Sequence, residues 1–255
     1  MNAPRINPWD LDDVAPDEGL PDYDADAAPA YESAAFDEPL MTYHLRQYDR
    51  KIQMLVAYGA GCKSSYRITT NAFRLFSKKP LMEVLYTSQE MRQRNVATIQ
   101  LDNDGPLPWC PRAHYDHTDP SGHTSTHCMR APNFADWDLE IGGRSYEWII
   151  SSSPWSLVLR EKTSSVVTAR FTYSTYGTQA ARGAEVGELI VWRDAITMDP
   201  DGMDMVVCSL MVSITHLKRM GRRYTNVSGE LARAMSLTRE HIPAHRASTA
   251  GMSMI

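Results

Sequence analysis

The chain contains 255 residues, of which 26 are basic and 31 acidic, so its formal net charge at pH 7 is −5. This mild charge and the scattered aromatic residues lack the arrangement of a nucleic-acid reader, which argues against nucleic acid as a partner. The four cysteines form no CxxC pair, and this spacing is a poor framework for disulfides or for a zinc knuckle. We therefore expect reduced thiols and a cytoplasmic protein.

Acidic residues are concentrated at the N-terminus. Residues 1–40 contain eleven of them against the single Arg5, which leaves the body of the chain, 41–255, with a net charge of +5. Residues 1–45 have too few large apolar side chains to offset the entropy of ordering, so we predict a disordered acidic extension. No secretory signal is recognised there. Aromatic side chains interrupt the acidic ones, a pattern that suits a linear motif for a protein partner.

From about residue 50 the sequence becomes a series of short β-rich runs, separated by Gly, Pro, Asn or charged turns. One pair of runs is joined by Gly142-Gly143, which suits a tight hairpin because glycine tolerates a positive φ. No helical pattern separates the runs, so they predict an antiparallel barrel or sandwich. The predicted strands are Gln53–Tyr58, Tyr66–Asn71, Phe73–Phe76, Met82–Thr87, Val96–Leu101, Trp137–Ile141, Arg144–Ile150, Trp155–Arg160, Val166–Tyr173, Glu188–Trp192 and Ala195–Met198.

One apolar helix is predicted after the turn Asp199–Gly202, with Asp204 as its N-cap and cationic residues at its far end. Apolar side chains cover nearly its whole circumference, and only Ser209, Ser213 and His216 form a narrow polar stripe. Such a helix is buried on all sides, and it is too polar to span a membrane. The predicted fold is therefore mainly β: a closed antiparallel barrel of about 10–12 strands that encloses a hydrophobic C-terminal helix.

Four segments carry a resemblance to a known family: Tyr66–Asn71, Phe76–Pro80, Gly187–Trp192 and the helical stretch Asp201–Leu217. They resemble the tubby C-terminal-like superfamily, and within it the LURP-one-related and phospholipid-scramblase-like branch. The resemblance covers roughly residues 50–223 and implies a non-enzymatic barrel domain. From tubby relatives it also implies binding of phosphoinositides or of a membrane surface.

The chain differs from a minimal domain of that family in two places. The acidic extension precedes the domain, and a long insertion loop is predicted at about 102–136, where Pro, Gly, Ser, Thr and Asp are frequent. Residues 227–255 are predicted to form a flexible tail.

Two basic clusters are candidates for binding anionic lipid headgroups, because guanidinium and ammonium groups pair with phosphate. The first cluster consists of Lys78, Lys79, Arg92 and Arg94. The second consists of Lys218, Arg219, Arg222 and Arg223. The alternative role of the first is a charged hairpin edge that prevents strand aggregation, and that of the second is to complete the helix C-terminus.

The predicted insertion holds residues of the types that bind zinc, and it offers a less favoured alternative function. Their setting is a polar loop, which favours solvated side chains over a closed tetrahedral site, so we predict no metal and no cofactor. The residues are Cys110, His114, Asp116, His117, Asp119, His123, His127 and Cys128.

No catalytic residues are predicted, because the sequence has no assignable Ser-His-Asp grouping, glycine-rich phosphate loop or paired carboxylates. The sequence thus predicts a non-enzymatic module at an anionic membrane surface, with a cytoplasmic or membrane-peripheral location. The alternative is a protein-interaction adaptor that uses residues 1–40.

Overall fold

The computed structural model describes residues 38–59, 64–71, 81–102, 110–229 and 231. These residues form twelve antiparallel strands that close into one barrel. Each strand pairs with its neighbours in sequence, and β1 closes the barrel by pairing with β12. The strands are β1 Pro39–Gln47, β2 Ile52–Tyr58, β3 Ser65–Thr70, β4 Met82–Thr87, β5 Gln93–Asp102, β6 Arg112–Thr118, β7 Thr124–Arg130, β8 Trp137–Ile141, β9 Arg144–Ser152, β10 Trp155–Glu161, β11 Val167–Tyr173 and β12 Glu185–Trp192.

Two helices follow β12: α1, Ala195–Met198, and α2, Pro200–Arg219. At 1.5 Å per residue, α2 is about 30 Å long, comparable to the length of the longer strands. Its apolar residues, such as Leu210 and Met211, are fully buried in the core that the inward-facing strand residues form. The predicted barrel around a hydrophobic helix is confirmed.

Ser209 and Ser213, the two hydroxyl residues of the polar stripe of α2, are hydrogen bonded inside the barrel. The Trp148 indole donates to Ser209 Oγ at 2.9 Å, and the same hydroxyl donates to the Val206 carbonyl. Ser213 Oγ donates to the Ser209 carbonyl at 3.0 Å. The helix is therefore buried on its polar side as well, because small hydroxyls satisfy themselves locally.

Three sequence predictions about the helical region and its surroundings are wrong. Residues 195–198 form α1 and not a strand, because Asp194 and Thr197 make a capping box. The N-cap of α2 is Asp199, whose side chain accepts from the Gly202 amide, whereas Asp204 lies inside the helix. The predicted loop at 102–136 contains β6 and β7, which are part of the barrel.

The boundaries of the predicted domains also change. The strand β1 begins at Pro39, so the acidic extension predicted for 1–45 ends earlier, and the barrel gains a strand that the sequence reading missed. Residues 1–37, the predicted strand Phe73–Phe76 and most of the predicted tail 227–255 lie outside the described residues. No helix among the described residues has the combination of length and apolar character needed to cross a bilayer.

Candidate functional site

The two ends of the barrel carry opposite charge. Antiparallel order places the start of α2 at one end and its last residue, Arg219, at the other. Among the described residues, the connections and last helical turn at that far end hold seven basic side chains and two acidic ones. We call this set the basic end; it consists of Arg50, Lys51, Arg182, Lys218, Arg219, Arg222 and Arg223.

The opposite end is acidic. Its described connections hold six acidic side chains against Arg92, Lys162 and Arg193. We call these acidic residues the acidic end; they are Glu38, Glu90, Asp119, Asp194, Asp199 and Asp201. The acidic end lies at the positive end of the α2 dipole and the basic end at its negative end, so both complement the helix.

A tight C-terminal cap turns the chain back at the end of α2. The Gly221 amide donates to the Lys218 carbonyl at 3.1 Å, and the Arg222 amide donates to the Leu217 carbonyl at 3.1 Å. Gly221 has φ +71°, the left-handed conformation that this cap requires. The reversal keeps Arg222 beside the end of the helix that carries Lys218.

The segment after the cap is fixed to the barrel. The Tyr224 ring is buried and lies 4.8 Å from the Trp155 ring and 5.4 Å from the Tyr173 ring, between centroids. The Asn226 amide group donates to the carbonyls of Trp155 and Tyr173 and accepts from the Trp155 amide. The preceding residue pair, Arg222 and Arg223, is exposed and is thereby held on an anchored segment.

Exposed aromatic side chains accompany the basic end. Tyr48 and Tyr176 are each 61% exposed, and Phe134 is 37% exposed. Phe134 has φ +64°, which is rare for a residue with a bulky side chain. The Asn133 side chain maintains this turn by accepting from the amides of Ala135 and Asp136. Cationic and aromatic side chains therefore share one face.

The second basic cluster predicted from the sequence, which begins at Lys218, belongs to the basic end. The first predicted cluster does not form a single patch among the described residues. Arg92 is exposed at the acidic end and pairs with Glu90 at 3.1 Å. Arg94 is only 23% exposed and is engaged by Asp204, so its guanidinium serves an internal ion pair. Lys78 and Lys79 lie outside the described residues.

A polar cluster surrounds Asp204 where α2 enters the barrel. Asp204 is 2% exposed; its Oδ2 accepts from Arg94 Nη2 at 2.5 Å and its Oδ1 accepts from the Tyr66 hydroxyl at 2.9 Å. His117 Nε2 lies 3.6 Å from Asp204 Oδ2, and this histidine is also 2% exposed. Asp201, one helical turn earlier, contributes a further carboxylate.

Burial shifts the pKa of Tyr66 and of Asp201 in this cluster, and that of the neighbouring Cys208. It raises the pKa of Tyr66, and the negative charge of Asp204 raises it further, so the phenol stays a hydrogen-bond donor. Partial burial, reinforced by Asp199, raises the pKa of Asp201. Burial also raises the pKa of the Cys208 thiol on the next turn of α2.

Of the histidines and cysteines of the predicted insertion, His117 and His127 come together, with ring centroids 6.1 Å apart, whereas strand alternation separates the others from them. On β6, His117 is buried towards the core, whereas His114 and Asp116 are partly exposed on the other face. His114 faces the exposed Cys128 across the hairpin, and the exposed His123 lies in the turn. Among the described residues, the only group of three side chains that could hold a metal ion is His117 with Asp201 and Asp204. Of these three, only His117 was a metal candidate predicted from the sequence.

A cleft of about 560 Å³ opens in the barrel wall between β7 and β8. The two strands pair only through Arg130 and Asp138 in the described part of the chain, and the adjoining residues Cys128, Met129, Leu139 and Glu140 line the cleft. Its lining is charged and includes Arg112, Arg130, Glu140 and Lys162, and Lys162 Nζ pairs with Asp138 at 2.7 Å.

Comparison with known proteins gives no match for this chain among protein-family models, curated proteins or solved structures.

Arg50, Lys51 and Arg182 were not among the residues predicted from the sequence; the barrel brings them to the end that holds Lys218 and Arg222. Arg50 and Lys51 connect β1 to β2, and Arg182 precedes β12. No local signal links these positions, because the distances that separate them along the sequence are large and only closure of β1 against β12 makes them neighbours.

Proposed function

We propose that this chain is a non-enzymatic, tubby-like barrel module that binds anionic membrane surfaces through the basic end. The observation that carries the proposal is the polarity of the barrel: seven basic side chains from three separate parts of the sequence meet at one end. Near an anionic membrane each such residue contributes about 1 kcal/mol or less of attraction, so several acting together give useful binding.

The aromatic residues beside the charges support the same conclusion. Phe134, Tyr48 and Tyr176 present ring surface to solvent at the basic end. Aromatic side chains favour the headgroup region of a bilayer, where their apolar body and polar surroundings are both accommodated. The positive φ of Phe134 lowers the stability of the fold, and a role in contacting the membrane would explain why a bulky aromatic residue is present at this position.

The architecture supports the family part of the proposal. A closed antiparallel barrel with a buried C-terminal helix is what the resemblance to the tubby C-terminal-like superfamily implies. The proposed ligand chemistry is a phosphate-bearing lipid headgroup, which Arg binds with paired N–H donors.

The test is sedimentation of the full chain with vesicles of phosphatidylcholine alone, or with phosphatidylserine or a phosphoinositide added at matched total charge. We expect salt-sensitive binding to the anionic vesicles only. The variant Arg222→Glu/Arg223→Glu should abolish it. Its matched control, Arg92→Glu/Arg193→Glu, changes the net charge equally at the other end and should retain binding.

Loss of binding in the control variant but not in the test variant would overturn the assignment to the basic end. Equal binding to both anionic vesicle types would identify surface charge as the feature recognised, whereas preference for the phosphoinositide would indicate a headgroup site. Absence of binding to all vesicles contradicts the proposal as a whole.

A second candidate function is a protein-interaction adaptor, and the open cleft between β7 and β8 favours it, because unpaired strand edges accept an extended peptide. The acidic residues 1–40, which the sequence analysis assigned to partner binding, lie almost entirely outside the described residues. Deletion of residues 1–37 tests the adaptor that uses the acidic extension: partner capture in a pull-down should be lost, whereas vesicle binding should persist. Partner capture that survives the deletion would indicate the cleft as the binding site.

A further inference from the structure

Three side chains of metal-ligand type converge where α2 enters the barrel. One ring nitrogen of His117 and one carboxylate oxygen each from Asp201 and Asp204 lie within 4.8 Å of one another. His117 comes from the inward face of β6, and the two aspartates are three positions apart on the first turns of α2. This spacing places both carboxylates on the same side of the helix, facing the strand.

Two polar atoms of this cluster are buried without a hydrogen-bond partner among the described residues: His117 Nε2 and Asp201 Oδ1. The nearest carboxylate oxygen to His117 Nε2 is Asp204 Oδ2 at 3.6 Å, which is too long for a hydrogen bond. Buried polar atoms are normally satisfied, and each exception needs an explanation. Here both exceptions belong to side chains whose ligand-type atoms lie within 4.8 Å of one another.

We infer that His117, Asp201 and Asp204 form a binding site for a divalent cation of the zinc class, with water completing the coordination. An imidazole together with carboxylates is a ligand set for Zn²⁺ or Co²⁺, whereas Ca²⁺ and Mg²⁺ prefer oxygen ligands alone. A cation at this point accepts the lone pair of His117 Nε2 and that of Asp201 Oδ1, and so satisfies both orphaned atoms at once.

The surroundings limit the affinity of this site. Arg94 already pairs with Asp204, so the cluster offers a dication one uncompensated negative charge. The start of α2 adds the positive end of a helix dipole. The site therefore binds more weakly than a closed four-ligand structural zinc site, and its function is compatible with reversible loading.

The test is calorimetric titration of the full chain, purified in the presence of a chelator that is then removed, with Zn²⁺, Ca²⁺ and Mg²⁺ separately. We expect one saturable Zn²⁺ site, a rise in Tm on adding Zn²⁺, and a Co²⁺ visible spectrum that reports the imidazole ligand. His117→Ala and Asp201→Asn should each weaken binding by at least about tenfold.

Matched controls lie on the same hairpin. His114→Ala and His123→Ala remove imidazoles outside the cluster and should leave Zn²⁺ affinity unchanged. Asp201 is partly exposed and the amide preserves its shape, so Asp201→Asn keeps the test valid even where His117→Ala unfolds the chain. Absence of saturable Zn²⁺ binding, or binding that Asp201→Asn leaves intact and His123→Ala removes, would overturn the assignment.

Discussion

Arg94 on β5 and Asp204 on α2 form an ion pair across the wall and the core of the barrel, with Arg94 Nη2 2.5 Å from Asp204 Oδ2. Arg94 Nη1 also donates to the Thr118 carbonyl at 2.8 Å, so one guanidinium joins β5, the end of β6 and the helix. The Tyr66 hydroxyl completes the shell of Asp204 from β3. These bonds fix the depth and the rotation of α2 at the acidic end.

Replacing Arg94 by Met should destabilise the fold by about 3–5 kcal/mol, because it leaves the buried carboxylate of Asp204 without its cation. The double variant Arg94→Met/Asp204→Leu should lose less, since no buried charge then remains unpaired. Urea unfolding of the two variants and the wild type measures both values. A cost of Arg94→Met below about 1 kcal/mol, the range of exposed pairs, would contradict the buried role of this pair.

The position of Gly177 fixes the anchored segment that carries Arg222 and Arg223. A Cβ on Gly177 would lie 1.8 Å from the Tyr224 carbonyl oxygen, so Gly177→Ala should displace Tyr224 and weaken binding to anionic vesicles as well as lowering stability. Gly142→Ala is the matched control: its φ is also positive, +56° against +46°, but its Cβ meets nothing within 4 Å. Gly142→Ala should lower the free energy of unfolding by about 1–2 kcal/mol, through backbone strain alone.

Vesicle sedimentation and urea unfolding of both glycine variants separate the two effects. We expect Gly142→Ala to lose stability with its vesicle binding intact, and Gly177→Ala to lose both. Equal vesicle binding by the two variants would show that the anchor of Tyr224 does not position the basic end.

The sequence predicted the barrel and its central helix because both rest on strong, local patterns. Short runs rich in β-branched residues gave most strands, and the apolar circumference from Val206 to Leu217 allowed only a buried helix. The hairpin of β6 and β7 was missed because its strands alternate through His, Asp, Ser and Thr, which resemble loop composition. Only the inward positions Ala113, Tyr115 and Met129 carry the apolar pattern of a strand.

The candidate sites were harder to predict, because their members are distant in sequence. Asp204 has the composition expected of an N-cap, and nothing near it in sequence reveals that Arg94 of β5 lies opposite. The same limit applies to the basic end. Lys218 and Arg222 were visible as a local cluster, whereas Arg50 and Arg182 join them only after β1 and β12 close the barrel.

We expect the protein to lose stability in mild acid, because two histidines have a lowered pKa in the folded chain. Burial lowers the pKa of His127, helped by the neighbouring His117, and burial also lowers the pKa of His216, which makes an edge contact with Trp137 at 5.0 Å. Below the usual histidine pKa of about 6.5, the two imidazoles become protonated in the unfolded chain before they do in the folded chain. Stability should therefore be constant above this pH and fall as the pH drops below it.

Urea midpoints measured between about pH 5 and 8 test this dependence. His216→Met should reduce the slope of stability against pH below the usual histidine pKa, since it removes one of the two histidines whose pKa is lowered in the folded chain. His123→Ala, which alters an exposed turn, should leave the slope as in the wild type. Stability that rises on acidification across this range would contradict the assigned burial of both rings.

Cysteine reactivity should report whether α2 lies within the barrel. Cys208 is fully buried on α2, and burial, together with Asp204, raises the pKa of its thiol, whereas Cys128 is exposed on β7. The thiolate is the reactive form. Iodoacetamide should therefore label Cys128 readily and Cys208 at least about a thousandfold more slowly, at a rate set by unfolding.

Peptide mass mapping of the labelled chain assigns each rate to its residue. Addition of urea above the unfolding midpoint should make the two thiols react at similar rates, which serves as the internal control. Labelling of Cys208 at the rate of Cys128 in the native protein would contradict the enclosed position of the helix.

Removal of the acidic N-terminus should strengthen binding to anionic vesicles. Residues 1–37 carry ten acidic side chains against Arg5, so their deletion changes the net charge of the chain from −5 to +4 and removes a source of repulsion from the membrane. The gain should be largest at low salt, because screening reduces the repulsion as ionic strength rises. Sedimentation of the deleted chain with phosphatidylserine vesicles at two salt concentrations measures the change. The deleted chain that also carries Arg222→Glu/Arg223→Glu should bind weakly again, whereas the deleted chain with Arg92→Glu/Arg193→Glu, which has the same net charge of 0, should keep the gain. Equal loss of binding by both variants would show that the attraction arises from net charge and not from the basic end.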